Sequence, residues 1–345
     1  VFYKLFGEYI VDYSIASATG MLNLELLNWD EETLKVANIQ VEQLSKVVST
    51  THSVTGLKPS IAETLGLLID TPFVVGASDG VLSNLGLNAI KKGVVAVTVG
   101  TSGAIRTVTN TPFIDTKERT FCYALTDRHW VIGGSVNSGG MILRWAREEF
   151  AHSEEEIASR LGMSVYDLMI QMADTVPPGS RGLLFHPYLS GERAPLWDAD
   201  ARGSFIGLSL HHKKEHMIRA VLEGIMYNLY TVLQPLEEVS GKAVEVKASG
   251  GFARSALWRQ MMADIFNTKV TIPESFESSC LGAVVLGLYG LKMIDSFDVV
   301  SEMVGGTNEH HPIVEHAKIY IKMLPVYINL MEVLKPHYQD ITSLQ

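Results

Sequence analysis

Residues 93–107 read GVVAVTVGTSGAIRT, and their pattern decides the fold. Val94 to Val99 is β-branched and almost wholly apolar, the composition of a strand buried on both faces. Gly100, Thr101, Ser102 and Gly103 follow as a turn with paired glycines and paired hydroxyls, and a second apolar run starts at once. The reading is strand, tight turn, strand. Such a turn can offer backbone N–H groups and a hydroxyl to a phosphate, because glycine lets the main chain approach without a Cβ in the way. It can equally be a plain hairpin turn, so the flanking sequence has to decide.

Upstream, Thr71-Pro72 breaks the chain, and residues 73–80 (FVVGASDG) read as a short buried strand with Asp79 just past its end. An acid there can act as a general base or face a metal, or simply cap a helix over 81–89. Residues 12–20 are rich in Ser, Ala and Thr and read as a capped connection between helices. Asp30, Glu31 and Glu32 open a helix, and a second helical piece is expected over 41–48. His52, the His211-His212 pair and the His310-His311 pair read as surface groups.

Downstream, a strand begins at Trp130, and Gly139-Gly140 precede a helix over 141–150. The first N–H groups of a helix lack intrahelical partners, so this start is a candidate anion site. One helical segment is expected over 153–175, its acids forming a solvated face. A strand over 182–187 leads into a polar loop, residues 190–198, in which Glu192 and Arg193 either act on a ligand or pair with each other. A long amphipathic helix spans 215–239. Residues 243–255 (AVEVKASGGFARS) give a strand, a double glycine and the start of a helix over 256–266, where a flat base could lie against bare backbone. A strand at 270–273, a helix from about 278 and a helical last forty residues complete the chain. Over 93–291 the order is β-β-β-α followed by β-α-β-α-β-α, that of a ribonuclease-H-like, actin-like lobe in an α/β protein.

The chain has 345 residues, enough for about two domains. Hydrophobic residues make up 47% and charged residues 19%, which excludes a disordered chain. A formal net charge of −10 argues against a general nucleic-acid binder. The two cysteines, Cys122 and Cys280, cannot build a disulfide framework or a zinc set, and a reducing cytoplasm is expected. The apolar run 280–294 is too short and too interrupted for a membrane span. No strand is followed by G-x-G-x-x-G, which excludes a common dinucleotide-binding fold. The chain starts at Val1, already inside an amphipathic pattern, so a preceding portion is expected.

With these blocks in view the chain resembles the FGGY family of carbohydrate kinases. Gly203-x-Phe205-x-Gly207-Leu208, seven further residues, then His216-Met217-x-x-Ala220-Val221-Leu222-Glu223 is similar to a family signature. Gly76 to Gly80, Gly100 to Ser102, Ala194-Pro195-Leu196-Trp197 and Gly250-Gly251 with Trp258 and Met262-Ala263-Asp264 follow in family order. Phe121 to Leu125, His129 to Gly134, Phe185 to Leu189 and Gly191 to Pro195 are similar to the gluconate-kinase branch. The resemblance implies a sugar-binding lobe, incomplete here, over 1–92 and a complete ATP-binding lobe over 93–345. It implies Asp79 as the base that contacts the sugar hydroxyl, and Gly100, Thr101, Gly140, Gly250, Gly251 and Ser255 as the ATP site. ATP and Mg²⁺ would be cofactors and a sugar acid the substrate; Mg²⁺ would bridge the ATP phosphates, held by water and acids, one of them in the missing portion, with no residue of this chain assigned to it; no nucleic acid or membrane partner is implied, and a homodimer is one allowed assembly. The family's N-terminal phosphate loop is missing, so this chain alone should be inactive. A family kinase for another sugar or polyol such as xylulose or glycerol, or a non-catalytic actin-like nucleotide-binding protein, are the alternatives.

Overall fold

The computed structural model describes residues 1–273 and 277–345. The run that opened the sequence reading forms the middle of a seven-stranded sheet. Its strands are β1 (Val94–Val99), β2 (Gly103–Thr109), β3 (Phe121–Ala124), β4 (Trp130–Val136), β5 (Glu245–Ser249), β6 (Val270–Pro273) and β7 (Thr307–His310). Their spatial order is β7-β6-β5-β1-β2-β4-β3. β1 and β2 form the expected hairpin, with Val99 opposite Gly103, and β5 runs parallel to β1 with Ser249 beside Thr98. β1 is buried along nearly its whole length, as its composition requires.

One face of the sheet is covered by the 27-residue helix Lys214–Ser240, buried through most of its span. Glu223 lies fully buried on this helix and binds across three elements. It accepts hydrogen bonds from the Gly179 N–H (2.9 Å), the Ser180 hydroxyl (2.9 Å), Arg219 (2.8 Å) and the Tyr320 hydroxyl (2.8 Å). A buried carboxylate is tolerated only when its lone pairs are answered in this way. The other face is covered by helices Asp79–Gly86 and Ser278–Gly290, whose Val81, Leu85, Val285 and Leu286 pack with Val108 and Val131 of the sheet.

These two helices approach backbone to backbone. A Cβ on Gly86 would lie 1.8 Å from the Ser278 carbonyl, and one on Gly282 would lie 2.0 Å from the Leu82 carbonyl. The Ser83 and Ser278 hydroxyls bond across the same seam at 2.9 Å. Residues 1–76 add small elements around this junction, among them the parallel pair Ile10–Asp12 and Lys46–Val48.

Several expectations are corrected. Residues 41–48 are a 3₁₀ turn, Val41–Gln43, followed by the strand Lys46–Val48, because Val47 and Val48 pair with Val11 and Asp12. The segment 153–175 is two helices, His152–Leu161 and Val165–Asp174, broken where Gly162 adopts φ 66°. Glu154, expected in solvent, is buried and bonded to Lys214 at 2.8 Å. Residues 12–20 contain a helix of their own, Tyr13–Ala18, capped by Asp12. β3 and β7, both sheet-edge strands, escaped the sequence reading; the polar TNEH of β7 carries no alternation to reveal it.

His186, fully buried, lies between the Ser204 hydroxyl (3.2 Å) and the Tyr327 carbonyl (3.1 Å). Burial pushes its pKa down to about 4, against a smaller opposing effect of the Tyr327 carbonyl. The unfolded chain therefore binds a proton near pH 6.5 that the folded chain refuses until about 4. Stability contributed by neutral His186 is present above pH 6.5 and declines as pH falls toward 4, by about 3 kcal/mol in total. Urea midpoints measured across this range should fall less steeply for His186→Gln than for the wild type. A second prediction concerns the helix seam. Gly86→Ala should destabilise the fold by about 3 kcal/mol or more through backbone overlap. Gly287→Ala, on the same helix as Gly282 but with open space around it, should be neutral or stabilising by about 0.5–1 kcal/mol. Urea denaturation of the two variants checks both values.

Candidate active site

β1 and β5 are adjacent parallel strands, and both end in glycine turns at their carboxyl ends. This is where open α/β sheets form ligand crevices. At the end of β1, the Gly100 N–H donates to the Ser102 carbonyl at 2.9 Å and closes a tight turn. The turn is stitched to the helix Gly140–Phe150. The Gly140 N–H donates to the Gly100 carbonyl (2.7 Å) and the Met141 N–H to the Thr101 carbonyl (3.1 Å). The sequence argument for an anion site rested on free N–H groups at this helix start, and two of them are already used. Gly139 and Gly140 serve instead to let the turn lie on the helix. A Cβ on Gly139 would come 2.6 Å from the Ser102 carbonyl carbon, and one on Gly140 would come 2.8 Å from the Gly100 oxygen.

At the end of β5, Gly250 has φ 105° and crosses Val99 so closely that a Cβ would lie 2.3 Å from its carbonyl oxygen. Residues Gly251–Arg254 form a 3₁₀ turn, and the Ser255 hydroxyl caps the helix Ala256–Phe266 by accepting the Trp258 N–H at 3.2 Å. Between the two turns lies a cavity of 610 Å³. Gly100, Thr101, Gly140, Gly251 and Ser255 all line it, while Gly250 supports it from beneath through Val99.

Sequence reading missed the far wall, which is Ser164, Tyr166, Asp167 and Ile170 from the helix Val165–Asp174 and its cap. Phe252 and Trp258 meet edge to face at 5.9 Å on the near side. Their apolar faces suit a flat ring, and Arg144 and Arg254 supply cationic groups at the lining. No local motif marks Tyr166 or Asp167; they arrive through the packing of one helix on another.

Asp79 lies apart from this cavity lining. It is exposed and is the first residue of the helix Asp79–Gly86. Its carboxylate accepts the Gly80 N–H at 2.6 Å, and its main-chain carbonyl accepts the Ser279 hydroxyl at 3.1 Å across the seam. The preceding residue is also tethered. The Ser78 N–H donates to the Ser14 hydroxyl at 2.7 Å, and Ser14 in turn donates to the buried Asp12 carboxylate. The residues read as a capped connection thus hold the segment that carries Asp79. Beside it, Arg106 of β2 reaches Gly80, where a Cβ would sit 3.0 Å from Nη2. Glu192 and Arg193 do not pair through their side chains. Glu192 is buried, accepting the main-chain N–H groups of Asn137 and Arg193 (2.8 Å for the latter) and the Asn228 amide (2.8 Å). Arg193 bonds the Asn137 side chain at 2.9 Å and the Val136 carbonyl at 3.0 Å.

Among the described residues, no group of three or more His, Cys, Asp or Glu side chains is placed to hold a metal ion. No helix among them is long and apolar enough to cross a membrane.

Comparison with known proteins places these features in context. The models for the FGGY family of carbohydrate kinases match twice, the N-terminal domain over residues 1–86 and the C-terminal domain over 95–291. A gluconokinase of Bacillus subtilis is 59% identical over 346 aligned positions, spanning 100% of this chain and 67% of that protein. Two crystal structures from Lactobacillus acidophilus, one described as gluconate kinase and one as ligand-bound xylulose kinase, each superpose with a TM-score of 0.92 at 38% identity. Each comparison covers 99% of this chain and 67% of the other.

The stitching of turn to helix gives a direct prediction. Gly139→Ala should prise the Gly100–Gly103 turn from the helix and speed exchange of the Gly140 and Met141 amides by at least about tenfold. The ladder amides of β1 and β2 should keep their protection, and hydrogen-exchange mass spectrometry separates the two regions.

Proposed function

Because the chain belongs to the FGGY family of carbohydrate kinases, we propose that it carries the nucleotide site and catalytic base of a kinase converting D-gluconate and ATP to 6-phospho-D-gluconate and ADP. The observation that carries this reading is the pairing of a ring-sized cavity at two glycine turns with an exposed carboxylate, Asp79, fixed at the seam beside the same sheet. Residues 93–345 form the ATP side in this proposal, and residues 1–92 belong to the sugar side.

Phosphoryl transfer asks a protein chiefly to position its reactants and offset their charge. The adenine ring lies between the Phe252–Trp258 side and the Tyr166 side, with the phosphates running toward Gly100, Thr101 and Gly251. Mg²⁺ bound with ATP would offset the phosphate charge; among the described residues no cluster of acids is placed to hold it, so the phosphates and water would be its main ligands on this chain's side. Asp79 takes the proton of the sugar acid's 6-hydroxyl as that oxygen bonds to the γ-phosphorus. The bond from the γ-phosphorus to the bridging oxygen breaks, and ADP leaves. Closure of the two sides excludes water, so that the sugar is the acceptor.

Gluconate is favoured over other acceptors by the 59% identity to the Bacillus subtilis gluconokinase. Xylulose is the second reading, because the two Lactobacillus acidophilus structures fit equally well under different substrate names. The test is ADP release by the full-length gene product with gluconate, xylulose and glycerol offered in parallel. Gluconate turnover should fall by about 10²–10⁴-fold in Asp79→Asn, with ATP binding retained. Turnover on another sugar would keep the family and the base but discard gluconate. Residues 1–345 assayed alone should not turn over, since they span only 67% of that relative. ATP binding without transfer to any sugar would favour a non-catalytic protein.

A further inference from the structure

Asp79 is held through its main chain rather than through its side chain. Among the described residues its carboxylate accepts one hydrogen bond, from the Gly80 N–H at 2.6 Å. That bond travels with the segment and fixes no direction relative to the rest of the fold. The fold reaches the segment on both sides instead. After it, the Ser279 hydroxyl donates to the Asp79 carbonyl at 3.1 Å. Before it, the Gly76 N–H is held by the Thr50 carbonyl at 3.0 Å, and the Ser78 N–H donates to the Ser14 hydroxyl at 2.7 Å. Ser78 is the N-cap residue of the helix Asp79–Gly86 and makes no side-chain cap of its own. The anchor nearest the base on this side is therefore Ser14.

Ser14 is itself clamped. One oxygen of the Asp12 carboxylate accepts the Ser14 N–H (2.8 Å), the Ile15 N–H (3.2 Å) and the Ser14 hydroxyl. A carboxylate only accepts, so the one hydroxyl proton of Ser14 points at Asp12 and its lone pair is left for the Ser78 N–H. The direction of the relay is thereby fixed, from Ser78 to Ser14 to Asp12. Ser14 and Asp12 are both buried, and Asp12 ends a strand whose register places it opposite Val48. Three positions along the same short helix, Ser17 is also buried. Its hydroxyl donates to the Tyr13 carbonyl at 2.6 Å and accepts the Ala124 N–H of β3 at 3.1 Å. The two serines are alike in burial and bonding and differ in what they hold. Ser17 holds the sheet edge, and Ser14 holds the residue before Asp79.

We propose that Ser14 is a positioning residue for phosphoryl transfer. By fixing the Ser78 N–H it sets where the Asp79 carboxylate stands against the acceptor hydroxyl. This rests on the reading of Asp79 as the base. A base works only within hydrogen-bond reach of the proton it takes, and an error of about 1 Å in such a position costs on the order of 10²-fold in rate. Removal of the Ser14 hydroxyl leaves the Ser78 N–H without its acceptor, and an unanswered N–H shifts toward another partner. Asp79 is the next residue, so that shift reaches the base directly. The carboxylate stays present and ionisable but stands in the wrong place.

The experiment uses the full-length gene product with gluconate and ATP, and compares Ser14→Ala with Ser17→Ala. Both variants should lose melting temperature to a similar extent. Ser14→Ala alone should lose kcat, by about 10–100-fold. Its KM for gluconate and its affinity for ADP should stay within about twofold of wild type, the pattern of an interaction used in the transition state. Ser14→Cys keeps a weak donor and acceptor of similar size and should show an intermediate kcat. If Ser14→Ala does not fold, a wild-type kcat in Ser14→Cys overturns the proposal. A folded Ser14→Ala with wild-type kcat also overturns it. So does an equal loss of kcat in Ser17→Ala, the mark of general destabilisation, or a raised KM at unchanged kcat, the mark of a binding role. In these cases an inactive Asp79→Asn leaves the base reading standing. Asp79→Asn with wild-type kcat, or a wild type without turnover, would overturn that reading and this proposal together.

Discussion

The contact between helices Asp79–Gly86 and Ser278–Gly290 is the constraint on which the rest depends. Helices normally keep 8–10 Å between their axes because side chains stand between them. Here Gly86 and Gly282 remove those side chains, and each backbone lies against a carbonyl of the other. The seam joins a helix that begins at Asp79 to one that covers the central sheet, and the Ser83–Ser278 and Ser279–Asp79 bonds fix its register. Asp79 is thereby referred to the same sheet whose β1 and β5 carry the glycine turns. A small slip at this seam would move the carboxylate relative to everything that β1 supports.

The same economy recurs wherever the backbone must be bare. Gly139 and Gly140 let the Gly100–Gly103 turn dock on a helix start, and Gly250 lets β5 cross β1. Gly80 and Gly133 leave a corridor for Arg106. None of these glycines needs to touch a ligand to matter. They set how closely segments approach, and the cavity is the space left between the segments they join. The polar counterpart is found in buried acids such as Asp12, Glu192 and Glu223, each of which accepts main-chain N–H groups. Such groups are stable only when fully bonded, so each specifies one arrangement of its loop.

Legibility followed the range of the interaction. Val94 to Val99 announced a buried strand because its side chains leave no other option, and Gly100, Thr101 and Gly251 announced turns for the same local reason. The long helix Lys214–Ser240 was readable from its apolar spacing. The 41–48 segment was misread because Val47 and Val48 become a strand only by pairing with a segment more than thirty residues earlier. Glu154 looked like a solvated acid because Lys214, its partner, lies sixty positions away. The edge strands β3 and β7 were missed because an edge strand carries little pattern of its own.

The sequence by itself determined the α/β class and most of the order of strands and helices, the likeness to a carbohydrate-kinase family and the position of Asp79 at the start of its helix. These follow from local propensity and from motifs whose spacing is written along the chain. Only the tertiary structure decided that Tyr166 and Asp167 wall the cavity, that Asp12 and Ser14 anchor the segment before Asp79, and that the N–H groups of Gly140 and Met141 are already taken. It alone showed that Arg106 Nη1 is enclosed without a hydrogen-bond partner. The physical reason is that hydrogen-bond satisfaction and close approach are properties of pairs distant in the chain, and become visible only once the fold has brought the pairs together.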